Sequence, residues 1–215
     1  MAGVYSKARL AVELSKLDTF EKPELSTEQY PMDSEIGAEV LWDAYFRGDI
    51  ENKVIADLGC GTGLLGIGAL MLGARLVYFV DSDSNAISAA KKNLEQFSIS
   101  KESAVFMEKD INDFDERADT VMQNPPFGTK TKHADREFLM KAFSTSDIIY
   151  TFHKATSKNF IEKITEDNGF SISNYYEFNF PIKASQLFHK RRIHRIKVGC
   201  WRLERVQKRL KQGKK

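Results

Sequence analysis

After Asn52 the chain settles into a rhythm that few folds can satisfy. Short apolar runs, VIADLG (54–59), LVYFVD (76–81), SAVFMEKD (103–110), ADTVMQN (118–124) and IIYTFHK (148–154), alternate with stretches of helical spacing at 64–72, 85–97, 137–143 and 157–169. Each run has strand length and little polar alternation, as expected of a strand covered on both faces. Repeated strand–helix–strand units need right-handed crossovers, which makes neighbouring strands parallel and puts helices on both faces. FSISNYYEFNF (170–180) and IHRIKVGCWRLE (193–204) then come one after the other without a helix, which predicts an antiparallel pair at one edge. The expected fold is α/β, a seven-stranded and mostly parallel sheet.

Ahead of that rhythm, Val4, Leu10, Leu14, Leu17 and Phe20 fall near helical spacing and predict an amphipathic helix over 4–20. An irregular stretch through Pro23 and Pro31 leads into a second helix over 34–46. The chain divides accordingly into an N-terminal helical extension with a covering loop (1–50), the sheet domain (51–206) and a basic tail (207–215). At 215 residues it is long enough for one well-buried domain. No apolar run approaches the ~20 residues of a membrane span, and the N-terminus lacks a secretory pattern. Cys60 and Cys200 fit neither a disulfide framework nor a metal cluster, so a reducing, cytoplasmic setting is expected and no metal is assigned.

A net charge of +2 conceals an asymmetry: residues 181–215 carry +12 and residues 1–180 carry −10. In HKRRIHRIK (189–197) the charges are interleaved with Ile193 and Ile196 and lead into an apolar strand. A basic patch held on a strand suits a polyanion, which marks Lys190, Arg191, Arg192 and Arg195 as candidate contacts to one.

Open α/β sheets bind ligands beyond the carboxyl ends of their strands, and the unusual residues of this chain fall there. DLGCGTG (57–63) closes the first strand; Gly59, Gly61 and Gly63 let the backbone turn tightly and approach a ligand. The spacing is not the G-x-G-x-x-G of a dinucleotide site. Asp57, just ahead, would repel a pyrophosphate and suits an amino or sulfonium cation. Asp81 ends the second strand, where a carboxylate can accept both hydroxyls of a ribose. Asp110 ends the third, where it can accept from an adenine amino group while Ile111 packs the ring. Each acid alone also suits a helix cap; together they describe a nucleoside site.

The fourth strand ends in QNPPFGTKTK (123–132). Pro125 and Pro126 stop the ladder and stiffen the backbone. An exocyclic amine on a heteroaromatic ring is a poor nucleophile, because its lone pair is delocalised. The Asn124 side-chain oxygen and the Pro125 carbonyl can hold its two N–H bonds and favour a pyramidal nitrogen, while Phe127 offers a face for a flipped base. The pattern points to methyl transfer onto a planar nitrogen and leaves open adenine N6, guanine N2 or a glutamine amide. Lys130 and Lys132 lie near the mouth. His133, His153 and His189 are left out of the catalytic set, because a methylated ammonium loses its proton without help.

The glycine loop with its acids resembles the S-adenosylmethionine site of Rossmann-like, seven-stranded class I methyltransferases. FEKPELSTEQYP (20–31), IENKVIADLGCGTGLLGIGALMLGA (50–74), NPPFGTK (124–130) and the FHK near the C-terminus (188–190) resemble the small archaeal and eukaryotic ribosomal RNA adenine-N6 methyltransferases. The resemblance implies S-adenosylmethionine as cofactor, RNA as substrate and a small zinc-containing activator protein as a possible partner. It also implies that Gln29, Tyr30 and their loop cover the cofactor, with Gly59, Thr62, Leu64, Asp81, Asp110 and Ile111 contacting it. The alternatives are an enzyme of the same fold acting on guanine N2 or a protein glutamine, and a non-catalytic RNA-binding scaffold.

Overall fold

The computed structural model describes residues 6–18, 32–126, 134–182 and 194–206. Its elements in chain order are α1 (Lys7–Leu14), α2 (Ser34–Phe46), β1 (Val54–Leu58), α3 (Leu64–Met71), β2 (Leu76–Asp81), α4 (Ser84–Glu95), β3 (Ala104–Glu108), β4 (Thr120–Gln123), α5 (Ala134–Thr145), β5 (Ile148–Lys154), α6 (Lys158–Asp167), β6 (Phe170–Ile182) and β7 (His194–Arg205). The strands form one sheet in the order β3-β2-β1-β4-β5-β7-β6. The first five are parallel, and β7 runs antiparallel to both β5 and β6. The expected edge hairpin is present, with β7, the last strand among the described residues, inserted between β5 and β6. Among the described residues no helix is long and apolar enough to cross a membrane.

Alternation of side chains along the strands feeds two cores. Ile55, Val77, Phe79, Met122, Tyr150 and Phe152 face α1, α2 and α3, while Ala56, Leu58, Val80, Val121 and Ile149 face α5 and α6. Nearly all of α3 is buried, because the helix is apolar all round and lies between the sheet and the first two helices. Each fully buried Leu or Ile contributes about 1.5–3 kcal/mol, so these two layers supply most of the cohesion.

The first helix is shorter than its spacing predicts. Val4 and Phe20 lie outside the described residues, and α1 ends at Leu14, although Leu17 is still buried. Tightening three-residue bonds, Lys16 N–H to the Glu13 carbonyl and Leu17 N–H to the Leu14 carbonyl, close the helix. Asp18 then bonds to a side chain of α4 instead of continuing the helical ladder. At the other edge, β6 and β7 pair for four residues past the last β5–β7 pair, from Asn179↔Lys197 to Ile182↔His194. Strand directions put Ile182 and His194 at the same end of the sheet as the carboxyl ends of β4 and β5.

Candidate active site

Leu58 is the register partner of both Val80 and Gln123, so β1 ends between β2 and β4. The glycine loop, Asp81 and Asn124 therefore emerge side by side, which the strand order alone dictates. Gly59, Gly61 and Gly63 all have positive φ, at 67°, 53° and 88°. The Gly59 and Cys60 N–H groups donate to the Val80 carbonyl at 2.8 and 3.0 Å, folding the loop back over β2.

Asp81 ties this loop to the turn that opens α4. Its Oδ2 accepts from the Gly61 N–H at 2.9 Å and its Oδ1 from the Asp83 N–H at 3.0 Å. Each oxygen keeps a lone pair, which is the capacity needed for two vicinal hydroxyls. Burial pushes its pKa above the ordinary value against the pull of those amides.

Asp57 is buried beneath the loop and accepts from the Gly66 N–H at 2.8 Å. Gly63 brings no side-chain cap to α3, so this carboxylate at the end of β1 caps the helix from outside. Gly66 must stay a glycine: a Cβ there would stand 3.0 Å from Asp57 Oδ2 and closer still to the Phe79 ring. Burial raises the Asp57 pKa to about 7, partly offset by the Gly66 bond and reinforced by the Asp81 charge.

Asp110 stands two residues beyond the end of β3 and caps a 3-10 turn, its Oδ1 accepting from the Asn112 N–H at 2.8 Å. Ile111 is almost fully committed to the core with Leu58, Val80 and Phe114. Leu64 opens α3 and is half-buried, and the Thr62 carbonyl accepts from Asn93 Nδ2 at 2.9 Å. From α5, Phe138 lies 2.8 Å from where a Gly59 side chain would begin. Nothing in the sequence singles out Asn93 or Phe138, because each acts across a long separation on a loop it does not belong to.

At the end of β4, Asn124 is half-buried but its Oδ1 is fully buried and has no hydrogen-bond partner. Pro125 beside it is buried and Pro126 half-buried. Gln123 donates from Nε2 to Thr151 Oγ1 at 3.0 Å, and that hydroxyl meets His153 Nε2 at 2.7 Å. Burial lowers the His153 pKa to about 3, so the ring is neutral. Gln29, Tyr30, Phe127, Lys130, Lys132, His133, His189, Lys190, Arg191 and Arg192 lie outside the described residues, and of Arg195 only the backbone, in β7, is described. Cys60 and Cys200 are both free and buried. Among the described residues no group of three or more His, Cys, Asp or Glu is arranged to hold a metal ion. A concavity of about 530 Å³ at the opposite end of the sheet holds none of the sequence-marked residues; there Lys53, Arg75 and Arg117 face Asp49, Asp119 and Asp147.

The donor set fits S-adenosylmethionine. A carboxylate with free lone pairs has the acceptors a ribose would need, a buried acid has the charge a cation would need, and a loop of glycines leaves backbone open to a ligand. A family model described as ribosomal protein L11 methyltransferase (PrmA) matches residues 41–125, the part that carries these features. The crystal structure of a Pyrococcus horikoshii protein provisionally classed as an RNA methyltransferase superposes with a TM-score of 0.86 at 40% identity, covering 94% of this chain and 98% of that one. Sheet order and strand-end loop thus define a class I methyltransferase. The rRNA N(6)-adenosine-methyltransferase METTL5 of Danio rerio is 34% identical, covering 86% of this chain and 92% of its own length; its Drosophila melanogaster counterpart is 32% identical over 91% and 95%. The chain belongs to the family of these rRNA N(6)-adenosine methyltransferases.

Proposed function

We propose that the protein methylates the N6 amine of an unpaired adenine in RNA, with small-subunit ribosomal RNA as the substrate and S-adenosylmethionine as the donor. One observation carries the reading: the desolvated, unpartnered Oδ1 of Asn124 at the strand end beside the glycine loop. A buried acceptor left unmade costs about 1–3 kcal/mol, a cost that an incoming N–H removes. Two of the acids and the loop would hold the cofactor: Asp81 the ribose hydroxyls, Asp57 the cationic end, and Gly59 to Leu64 the chain between. Asp110 and Ile111 would take the adenine ring edge, and Gln29 and Tyr30 would cover it.

When bound, the cofactor supplies an electrophilic methyl whose bond to sulfur breaks as the amine's lone pair attacks. Asn124 Oδ1 and the Pro125 carbonyl accept the two N–H bonds and aim that lone pair, and Pro126 keeps the carbonyl in place. Phe127 stacks the flipped base. The contribution is positioning, not acid–base chemistry. The methylated ammonium gives its proton to water, consistent with a His153 ring that is buried, neutral and already bonded.

Lys130, Lys132, Lys190, Arg191, Arg192 and Arg195 would hold phosphates around the base, which suits a substrate read from unpaired segments. In this reading residues 1–50 are an extension, 51–206 the methyltransferase domain and 207–215 a basic tail. The protein works in the cytoplasm, with a small zinc-containing activator as proposed partner; if one is required, the isolated chain will bind cofactor and transfer slowly.

The family-model match favours one second reading, a ribosomal protein as acceptor. That match ends at Pro125, so it covers the cofactor half and leaves out the segment from Pro126 onward. Labelled cofactor offered to ribosomal RNA and ribosomal protein separately tests the two. RNA labelling that Asn124→Ala removes, with cofactor affinity kept within a few-fold, supports the proposal; labelled protein supports the alternative. Loss of cofactor binding in Asn124→Ala would refute the role given to that residue.

A further inference from the structure

Asn93 sits on α4 with no exposed surface, a rare position for an amide side chain. Its Oδ1 accepts from the Asp18 N–H at 2.8 Å and from Gln96 Nε2 at 3.2 Å. Its Nδ2 donates to the Asp18 carbonyl at 3.0 Å and to the Thr62 carbonyl at 2.9 Å. By donating to and accepting from the same backbone residue, the amide imitates a strand partner and grips the chain just after α1. Its remaining N–H reaches the glycine loop between Gly61, which donates to Asp81, and Gly63. On the same face of α4, one turn earlier, Ala90 Cβ lies 3.1 Å from where a Gly63 side chain would begin. The helix thus presses on the loop at one point and holds it by a hydrogen bond at the next.

We propose that Asn93 is a positioning residue that couples Asp18 to Thr62, so that the glycine loop is shaped for the cofactor only while the chain leaving α1 is docked. The proposal rests on the cofactor reading above and adds a residue and a linkage to it. Its physical basis is that one buried amide serves both partners. If Asp18 leaves, one buried N–H of Asn93 is stranded and its Oδ1 keeps only the 3.2 Å bond from Gln96, a neighbour on the same helix, so the amide that holds Thr62 loses its anchor outside α4. The linkage is reciprocal: a ligand that orders the loop favours docking of Asp18 by the same factor. Asp18 leads directly into residues 19–31, which contain Gln29 and Tyr30, so the clasp joins two stretches that the sequence assigns to one ligand.

The variant Asn93→Asp keeps the size and both acceptor contacts but loses both N–H donations. It is expected to weaken S-adenosylmethionine binding, read by calorimetry, by about tenfold, the loss of one to two hydrogen bonds, while RNA affinity stays as in the wild type. Gln96→Ala, which removes only the neighbour's contact, should leave both unchanged. In the unaltered protein, hydrogen exchange gives a test that needs no variant: adding S-adenosylmethionine should slow amides 15–18 together with amides 59–66. In Asn93→Asp the cofactor should slow only the loop. Exchange at 15–18 that ignores the cofactor in the wild type overturns the coupling. A folded Asn93→Asp protein with wild-type cofactor affinity reduces Asn93 to a structural contact. Failure of the wild type to bind S-adenosylmethionine would instead remove the cofactor reading, and the proposal with it.

Discussion

At Asp57 the proposed site sets a proton against the cofactor's cationic end for one buried carboxylate. Its pKa stands at about 7 against an ordinary 3.8, because burial penalises the charged form more than the Gly66 amide supports it. Folding favours the protonated form: the stability this group contributes is complete below about 3.8 and is lost as pH rises through about 7. Without cofactor, the protein should therefore be less stable a unit above pH 7 than a unit below, and Asp57→Asn should flatten that difference in denaturant titrations. A cationic ligand reverses the preference, so cofactor binding below about pH 7 should release a proton. Calorimetry in buffers of different ionisation heat would detect it, and equal release from Asp57→Asn would exclude Asp57 as the source. Residues such as Asp81 and Asn124 are legible in the sequence, because an acid or a proline pair straight after an apolar run marks a strand end. The Gly66 contact of Asp57 and the clasp of Asn93 are not. The partners of Asn93 lie 31 and 75 positions away, and no local pattern announces them.

Among the elements, the least legible join is the one that locks the antiparallel edge to the rest of the sheet. Arg202 on β7 pairs with Asp49 in the α2–β1 connection, 153 positions away, through Nε at 2.8 Å and Nη2 at 3.1 Å. Tyr150 on β5 donates to the same carboxylate at 2.7 Å, and Arg202 Nη1 also reaches Ser173 and Glu204. Both members of the pair are over nine-tenths buried. Arg202→Leu leaves Asp49 buried without its cation and should cost about 3–5 kcal/mol in urea unfolding. A loss below about 1 kcal/mol would mean that the pair behaves like a surface one. The extents of β1, β2, β5 and α2 can be read almost to the residue from apolar pattern and glycine punctuation. The order of β6 and β7 cannot, because either arrangement of the hairpin buries the same faces. The end of α1 escapes the sequence for a related reason: its apolar spacing continues to Leu17, but Asp18 is taken by Asn93.

For the molecule as a whole, charge and strand direction combine. The segment 181–215 carries +12 on a chain otherwise at −10, and the strand residues Ile182 and His194 that flank 183–193 stand at the end of the sheet where β4 and β5 have their carboxyl ends. Replacing Arg191, Arg192 and Arg195 by Gln should weaken RNA binding and lower its slope against log salt by roughly 2, near 0.7 for each charge lost on single strands. Cofactor affinity should not change. An unaltered slope would take this segment off the RNA surface. The central claim is that Asn124 receives an adenine amine in RNA, and the identity of the product tests it most directly. Ribosomal RNA from a strain lacking the protein, incubated with labelled S-adenosylmethionine and digested to nucleosides, should yield label in N6-methyladenosine from the small-subunit RNA and none with Asn124→Ala. Label in N2-methylguanosine, or transfer that survives Asn124→Ala, would contradict the account.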